Sequence, residues 1–135
     1  MSFTEEELAY LRSQPLGRLA TVATDGQPDN APVGFEVDGP YVYVGGMDPA
    51  TTRKWKNIAA GNEKVCLVVD DLASTDPWAP RFVRIYGTAD LVERQSRFPS
   101  ADTIRITPTI SWSWNLDGKP FSHDNTFGPR RTVHG

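Results

Sequence analysis

GRLATVATDGQPDNAPVGFEVDGPYVYV, residues 17–44, decides the fold. Gly17 to Thr24 is rich in β-formers and stops at Asp25-Gly26, a pair suited to the positive φ values of a tight hairpin turn. Ala31 to Val37 then runs to a second such pair, Asp38-Gly39, and Tyr41 to Val44 (YVYV) makes the third strand. Connections this short leave room only for antiparallel pairing, because a parallel return needs a long crossover.

Upstream, Ser2 with Glu5 and Thr4 with Glu7 both fit the capping-box spacing, and Leu8 and Leu11 share a face. A helix is therefore expected to run to about Gln14, where Pro15 and Gly17 follow. Downstream, the apolar run Val65 to Val69 reads as a buried fourth strand. A loop containing Asp76, Pro77, Trp78 and Pro80 leads to a fifth strand, Phe82 to Val92. The pattern breaks at Arg97 to Ser100. Thr103 to Thr107 and Thr109 to Trp114 then read as one strand bent or bulged at Pro108.

Between the third and fourth strands lies DPATTRKWKN, residues 48–57. Asp48 and Pro49 suit a helix start. Trp55, Ile58 and Ala59 have core-facing spacing, Lys54 and Asn57 lie on an adjoining face, and Gly61 can end the helix. Three cations, Arg53, Lys54 and Lys56, occupy a helix start whose dipole prefers anions. Together with free N–H groups and the Thr51 and Thr52 hydroxyls they suggest a bound anion, most simply a phosphate. A solvated basic face is the alternative.

Six short strands, mostly joined by tight turns, give a mainly β fold: a six-stranded antiparallel split β-barrel with a short N-terminal helix and a second helix after the third strand. Residues 1–116 form this domain. Residues 117–135, polar and rich in Gly and Pro, form a loose tail or a flap.

The chain resembles the flavin- and deazaflavin-binding split-barrel superfamily named for pyridoxamine 5′-phosphate oxidase, and within it the branch dependent on coenzyme F420. The likeness is carried by GRLATV at Gly17–Val22, DGQP at Asp25–Pro28, PVGF at Pro32–Phe35, TRKWKN at Thr52–Asn57 and VVDDLASTDPWAPR at Val68–Arg81. The ending TIRITPTISW at Thr103–Trp112 resembles a subgroup that includes a reductase of tetracycline biosynthesis.

The resemblance implies that Lys54 and Asn57, in a Lys-x-x-Asn pattern with Thr51, Thr52 and Arg53 beside them, hold a cofactor phosphate. It also implies that backbone at Pro32, Val33 and Gly34 lies along the edge of the cofactor ring, and that Trp78 lies near the cofactor of the opposite subunit. Residue reading alone leaves Pro32–Gly34 as barrel wall and Trp78 as either an interface residue or a packing anchor. Trp112 and Trp114, two apart on a strand, either floor a substrate cavity or plug one end of the barrel. The C-terminal segment that grips the vitamin phosphate in the true oxidases has no counterpart, so oxidation of pyridoxamine phosphate is not expected. In the tail, Arg130 and Arg131 either reach an anionic group or are solvated.

Other chemistry is missing. No P-loop, dinucleotide glycine fingerprint or nucleophile elbow occurs. His123 and His134 lack neighbours that suggest a metal site or a triad, so no metal ligands are expected. Asp70 and Asp71 are adjacent and point to opposite faces of a strand. Cys66 is the only cysteine, which rules out an internal disulfide, and reads as a buried strand residue rather than a catalytic thiol. With a formal net charge of -3, neither general nucleic-acid nor membrane binding is expected. The acidic start MSFTEEELAYL does not suit a signal peptide, which points to the cytoplasm.

The expectation is therefore a homodimeric oxidoreductase with coenzyme F420 at the subunit interface. It would pass a hydride to an activated C=C or conjugated bond of a polycyclic or quinone-like molecule, with water or Arg81 as proton source. FMN in place of F420, or a non-catalytic protein that stores a cofactor or tetrapyrrole, are the alternatives.

Overall fold

The computed structural model describes residues 2–121 and 127–135. Helix α1 spans Glu5–Ser13, and the strands are β1 (Gly17–Val22), β2 (Pro28–Asp38), β3 (Tyr41–Gly45), β4 (Lys64–Thr75), β5 (Trp78–Glu93), β6 (Asp102–Trp114) and β7 (Arg130–Val133). A 3₁₀ turn at Pro49–Thr51 precedes helix α2, Arg53–Ala59. The sheet runs β3-β2-β1-β4-β5-β6-β7, every pair antiparallel, and β3 also pairs with β6 through Val42–Ile106 and Val44–Ile104. That extra pairing closes β1 to β6 into a ring, the split barrel read from the sequence. Among the described residues no helix is long and apolar enough to cross a membrane.

Alternation fills the barrel. Leu19, Val33, Phe35, Val42, Val44, Leu67, Val83, Ile85, Ile104 and Ile106 all point inward and are buried. Strand β4 also alternates: Val65, Leu67 and Val69 are buried, while Cys66 and Val68 lie half-buried on the outer face. Burial pushes the Cys66 thiol pKa up.

Of the two candidate capping boxes, Thr4 and Glu7 form the real one: Glu7 N donates to Thr4 Oγ1 at 3.1 Å and Thr4 N to Glu7 Oε1 at 2.9 Å. Helix α1 is then pinned to the β4–β5 hairpin. The Tyr10 hydroxyl donates to Asp71 Oδ1 at 2.8 Å and Gln14 Nε2 donates to Asp71 Oδ2 at 3.2 Å. Arg81 grips the same carboxylate with two bonds, at 2.7 and 2.9 Å. These contacts hold the Asp71 carboxyl below its ordinary pKa, chiefly through Arg81, and raise that of Tyr10 through burial and the Asp71 bond.

The structure departs from the sequence reading in several places. The expected loop from Asp76 to Pro80 is a tight hairpin turn, with β5 already under way at Trp78, which pairs with Thr75. Pro80 sits in β5 next to a register irregularity at Leu72–Ser74, a place where a strand tolerates proline. Residues 130–133, within the stretch read as tail or flap, form β7 along the second half of β6, so the sheet has seven strands. His134 reinforces that edge, with Nε2 2.8 Å from Ser111 Oγ and its backbone N–H donating to Thr109 O. The bend expected at Pro108 is a bulge, because Tyr86 pairs with Ile110 and Gly87 with Pro108.

Candidate functional site

Helix α2 is shorter than its sequence suggests and starts later. Asp48 makes no side-chain cap bond. Thr52 caps instead: its Oγ1 accepts from Trp55 N at 3.4 Å and donates to Pro49 O at 2.6 Å. The Asp-Pro pair opens the preceding 3₁₀ turn, inside which the Thr51 hydroxyl donates to Asp48 O. At the far end Gly61 takes φ +103° and its N–H donates to Ile58 O, the expected glycine stop. Ile58 is buried and Trp55 packs against the core, whereas Ala59, expected there too, is exposed.

Asn57 takes the core-facing place beside Ile58. Its Nδ2 donates to Thr21 Oγ1 of β1 at 3.0 Å, a bond buried at both ends. Asn57 therefore ties α2 to the barrel, and it lines a different cleft from Lys54. Arg53 and Asn57 border a space of about 300 Å³ beside the β1–β2 turn, facing Asp25 and Asp29. Lys54 borders a space of about 80 Å³ with Thr52, Asp48, Gly45 and Gly46. The second space equals roughly two or three water molecules, enough for a small ionic group and far too little for a ring system. Among the described residues, Arg53, Lys54 and Lys56 have no salt-bridge partner.

Gly45 links this small cleft to the strand expected along a cofactor ring. It pairs with Gly34 across β2 and β3. Val33 and Phe35 point into the core, so Gly34 lies on the outer face, with exposed Pro32 beside it. The ring beside Gly34 in the structure is that of Phe98, a residue of the β5–β6 connection without a role in the sequence reading. A Cβ on Gly45 would stand 2.4 Å from Phe98 Cδ2, and one on Gly34 would stand 3.1 Å from Phe98 Cε1. Two paired glycines thus make a cradle for a planar ring, filled here from within the chain.

Trp78 is 50 % exposed at the tip of the β4–β5 hairpin and lines neither cleft beside α2. Trp112 lies 6.0 Å under the Arg131 guanidinium. Trp114 stacks on Phe82 at 5.9 Å and meets Phe121 and Phe127 at 5.6 and 5.2 Å, anchoring the segment that follows β6. Arg81 is committed to Asp71, and that carboxylate raises its pKa. His123 lies outside the described residues.

The closed split barrel agrees with what known proteins show. A sequence model of the pyridoxamine 5′-phosphate oxidase family matches residues 3–115. The chain belongs to that family. It is 42 % identical to the 5a,11a-dehydrotetracycline/5a,11a-dehydrooxytetracycline reductase of Streptomyces rimosus, with 87 % of each chain covered. Among solved structures, an F420 reductase superposes with TM-score 0.60 at 23 % identity, covering 82 % of this chain and 98 % of that one. The haem storage protein of Vibrio cholerae superposes with TM-score 0.60 at 18 % identity, covering 80 % and 91 %. Both structures share the fold. The likeness to a named reductase supports an oxidoreductase within the oxidase family.

Proposed function

We propose that this oxidase-family chain is an F420H2-dependent reductase that saturates an activated C=C or conjugated bond of a polycyclic or quinone-like small molecule. The observation that carries the reading is the 42 % identity, along 87 % of both chains, to a reductase that acts on dehydrotetracyclines. The fold's F420 reductase makes the deazaflavin the first cofactor to test, and FMN the second.

The residues fit such a group. Lys54, with no carboxylate bound to it, holds the cofactor phosphate in the small cleft, helped by the Thr52 end of α2. Thr51 and Arg53 flank Thr52 along the chain, Arg53 bordering the cleft on the Asn57 side, and Asn57 fixes the helix through Thr21. Backbone at Pro32, Val33 and Gly34 would border the ring. When bound, the reduced deazaflavin supplies two electrons as a hydride to the electron-poor carbon, and solvent supplies the proton to the other end of the bond. The protein's share is proximity and orientation. A second copy of the chain closes the ring side, with Trp78 near the partner's cofactor.

Titration with F420 and, in parallel, FMN tests the reading. A charge-assisted phosphate contact contributes roughly 1.5–3 kcal/mol, so Lys54→Ala weakens binding about ten- to a hundredfold. Selective F420 binding lost in the variant supports the assignment. Preference for FMN moves the cofactor to the flavin, and equal affinity of Lys54→Ala and wild type removes Lys54 from the site. A monomer by light scattering at micromolar concentration removes the shared site.

A further inference from the structure

The outer surface of the barrel has two halves of opposite character. On one half the charges answer each other. Glu36, Tyr43, Arg105 and Asp90 stand in register across β2, β3, β6 and β5. Arg105 grips Asp90 with two bonds, at 3.1 and 2.7 Å, and lies over Tyr41. Arg94 pairs with Asp38 at 3.3 Å and lies over Tyr43. Paired charges of this kind suit a face that meets water.

The other half is apolar. Ala20, Cys66, Tyr86, Ile110 and Val133 form a row across β1, β4, β5, β6 and β7, and Tyr86 and Val133 are 40 % and 50 % exposed. In the next row Arg84 stands between Val68 and Trp112. Neither helix covers these rows: α1 bonds to Asp71 and α2 to Thr21, both on the inward side of their strands. Five strands and three rows of side chains give a footprint of about 24 by 20 Å. That is over half of the roughly 800 Å² per partner in a standard interface.

Arg84 marks the face as unfinished. Its guanidinium lies 5.8 Å from the Phe82 ring and 5.4 Å from the Tyr86 ring. Among the described residues it has no acid partner, and its Nε is buried without a hydrogen-bond partner. The other arginines without an acid partner, Arg12, Arg53, Arg130 and Arg131, are exposed, whereas Arg84 is half-buried. A charge drawn partly out of water is costly until an acceptor arrives. The acid on this face is Asp70, in register with Phe82 one row away. Arg18 takes its Oδ1, and among the described residues its Oδ2 has no partner.

We propose that this half of the barrel seats a second copy of the chain, docked about a twofold axis that sets Arg84 against the partner's Asp70. Arg, Tyr and Trp are the side chains that carry most interface energy, and Arg84, Tyr86 and Trp112 lie at the centre of the face. The face runs on to exposed Pro32, which pairs with Arg18, so the second copy borders the strand assigned to the cofactor ring. The inference deepens the shared-site reading, which names a second copy without its seat, but assembly through this face does not depend on the cofactor.

Sedimentation equilibrium of the full chain tests it. Arg84→Glu and Tyr86→Glu each weaken self-association a hundredfold or more, leaving monomer at micromolar concentration. Tyr41→Ser, on the charged half, leaves the dimer intact. Arg84→Ala and Asp70→Ala each weaken association about tenfold, and the double variant weakens it by less than the product. Thermal melts show that each variant is folded. In the wild type, maleimide labelling of Cys66, in the middle of the face, slows as rising concentration drives assembly. A wild-type monomer, or a dimer that survives both glutamate variants with Cys66 equally reactive at all concentrations, overturns the interface. A dimer that obeys the variants yet binds neither F420 nor FMN keeps the interface and removes the cofactor reading.

Discussion

Replacing Gly45 by Ala tests the glycine cradle directly. The added methyl would stand 2.4 Å from Phe98 Cδ2, 2.5 Å from Cγ and 2.9 Å from Cβ. Ordinary contacts begin near 3.4 Å, so the overlap at Cδ2 is about 1 Å. The obstacle is a ring, and its loop is held in place: Phe98 N donates to Ser96 Oγ, Ser100 N to Gly46 O, and Arg97 stacks on the ring. Overpacking of this kind costs about 1–3 kcal/mol, which lowers the melting temperature by roughly 4–12 °C for a chain of this size. Gly34→Ala meets only Phe98 Cε1, at 3.1 Å, and a shift of a few tenths of an ångström relieves it. Its cost should stay below about 1 kcal/mol.

The decisive comparison repeats Gly45→Ala in a Phe98→Ala background. The clash is then gone, and Ala in place of Gly at an ordinary strand position stabilises by about 0.4–1 kcal/mol through the unfolded chain. Urea denaturation of the four proteins should therefore give a coupling of about 1.5 kcal/mol or more between positions 45 and 98. An equal penalty for Gly45→Ala with and without Phe98, or a Gly34→Ala as damaging as Gly45→Ala, refutes the cradle.

Asp71→Asn should cost about 1–3 kcal/mol, because it weakens the charged grip of Arg81 and the bonds from Tyr10 and Gln14. The Asp71 carboxyl is held below its unfolded value near 3.9, so its stabilisation is present above about pH 4 and is lost as pH falls through the folded pKa. Acid titration of stability should show wild type losing more than the Asn variant below pH 4. Asn57→Ala should cost about 1–2 kcal/mol by leaving the Thr21 hydroxyl without its donor. Adding Thr21→Val should cost less than the two single losses summed, as thermal denaturation can read.

The parts of the fold legible in the sequence are those fixed by neighbours along the chain. Strands β1 to β3 are bounded by two Asp-Gly turns and alternate at period two, and Thr4 with Glu7 signals α1 within four residues. What stayed hidden depends on partners far away. Asn57 reads as the companion of Lys54 on one helix face, and its bond to Thr21, 36 positions earlier, has no local signal. Phe98 reads as part of a break between strands because its packing site, Gly34 and Gly45, belongs to another hairpin. Strand β7 buries only Thr132 of its four residues, so no alternation announces it before β6 offers an edge. Thr52, rather than Asp48, caps α2 because a 3₁₀ turn intervenes, and the Asp-Pro pair signals either element equally well.

The same geometry gives the two neighbouring cations different surroundings. Arg53 and Lys54 are adjacent in sequence, and the resemblance puts both near a phosphate. Arg53 shares its cleft with Asp25 and Asp29, two carboxylates against one guanidinium, so an entering anion meets repulsion there. Lys54 shares its cleft with Asp48 alone, beside first-turn N–H groups that the helix leaves without intrahelical partners. Lys54→Ala should therefore weaken cofactor binding far more than Arg53→Ala. Should Arg53→Ala prove the more damaging, the phosphate belongs on the Asn57 side of α2, and the path from Lys54 through Gly45 to Gly34 would not be the cofactor's.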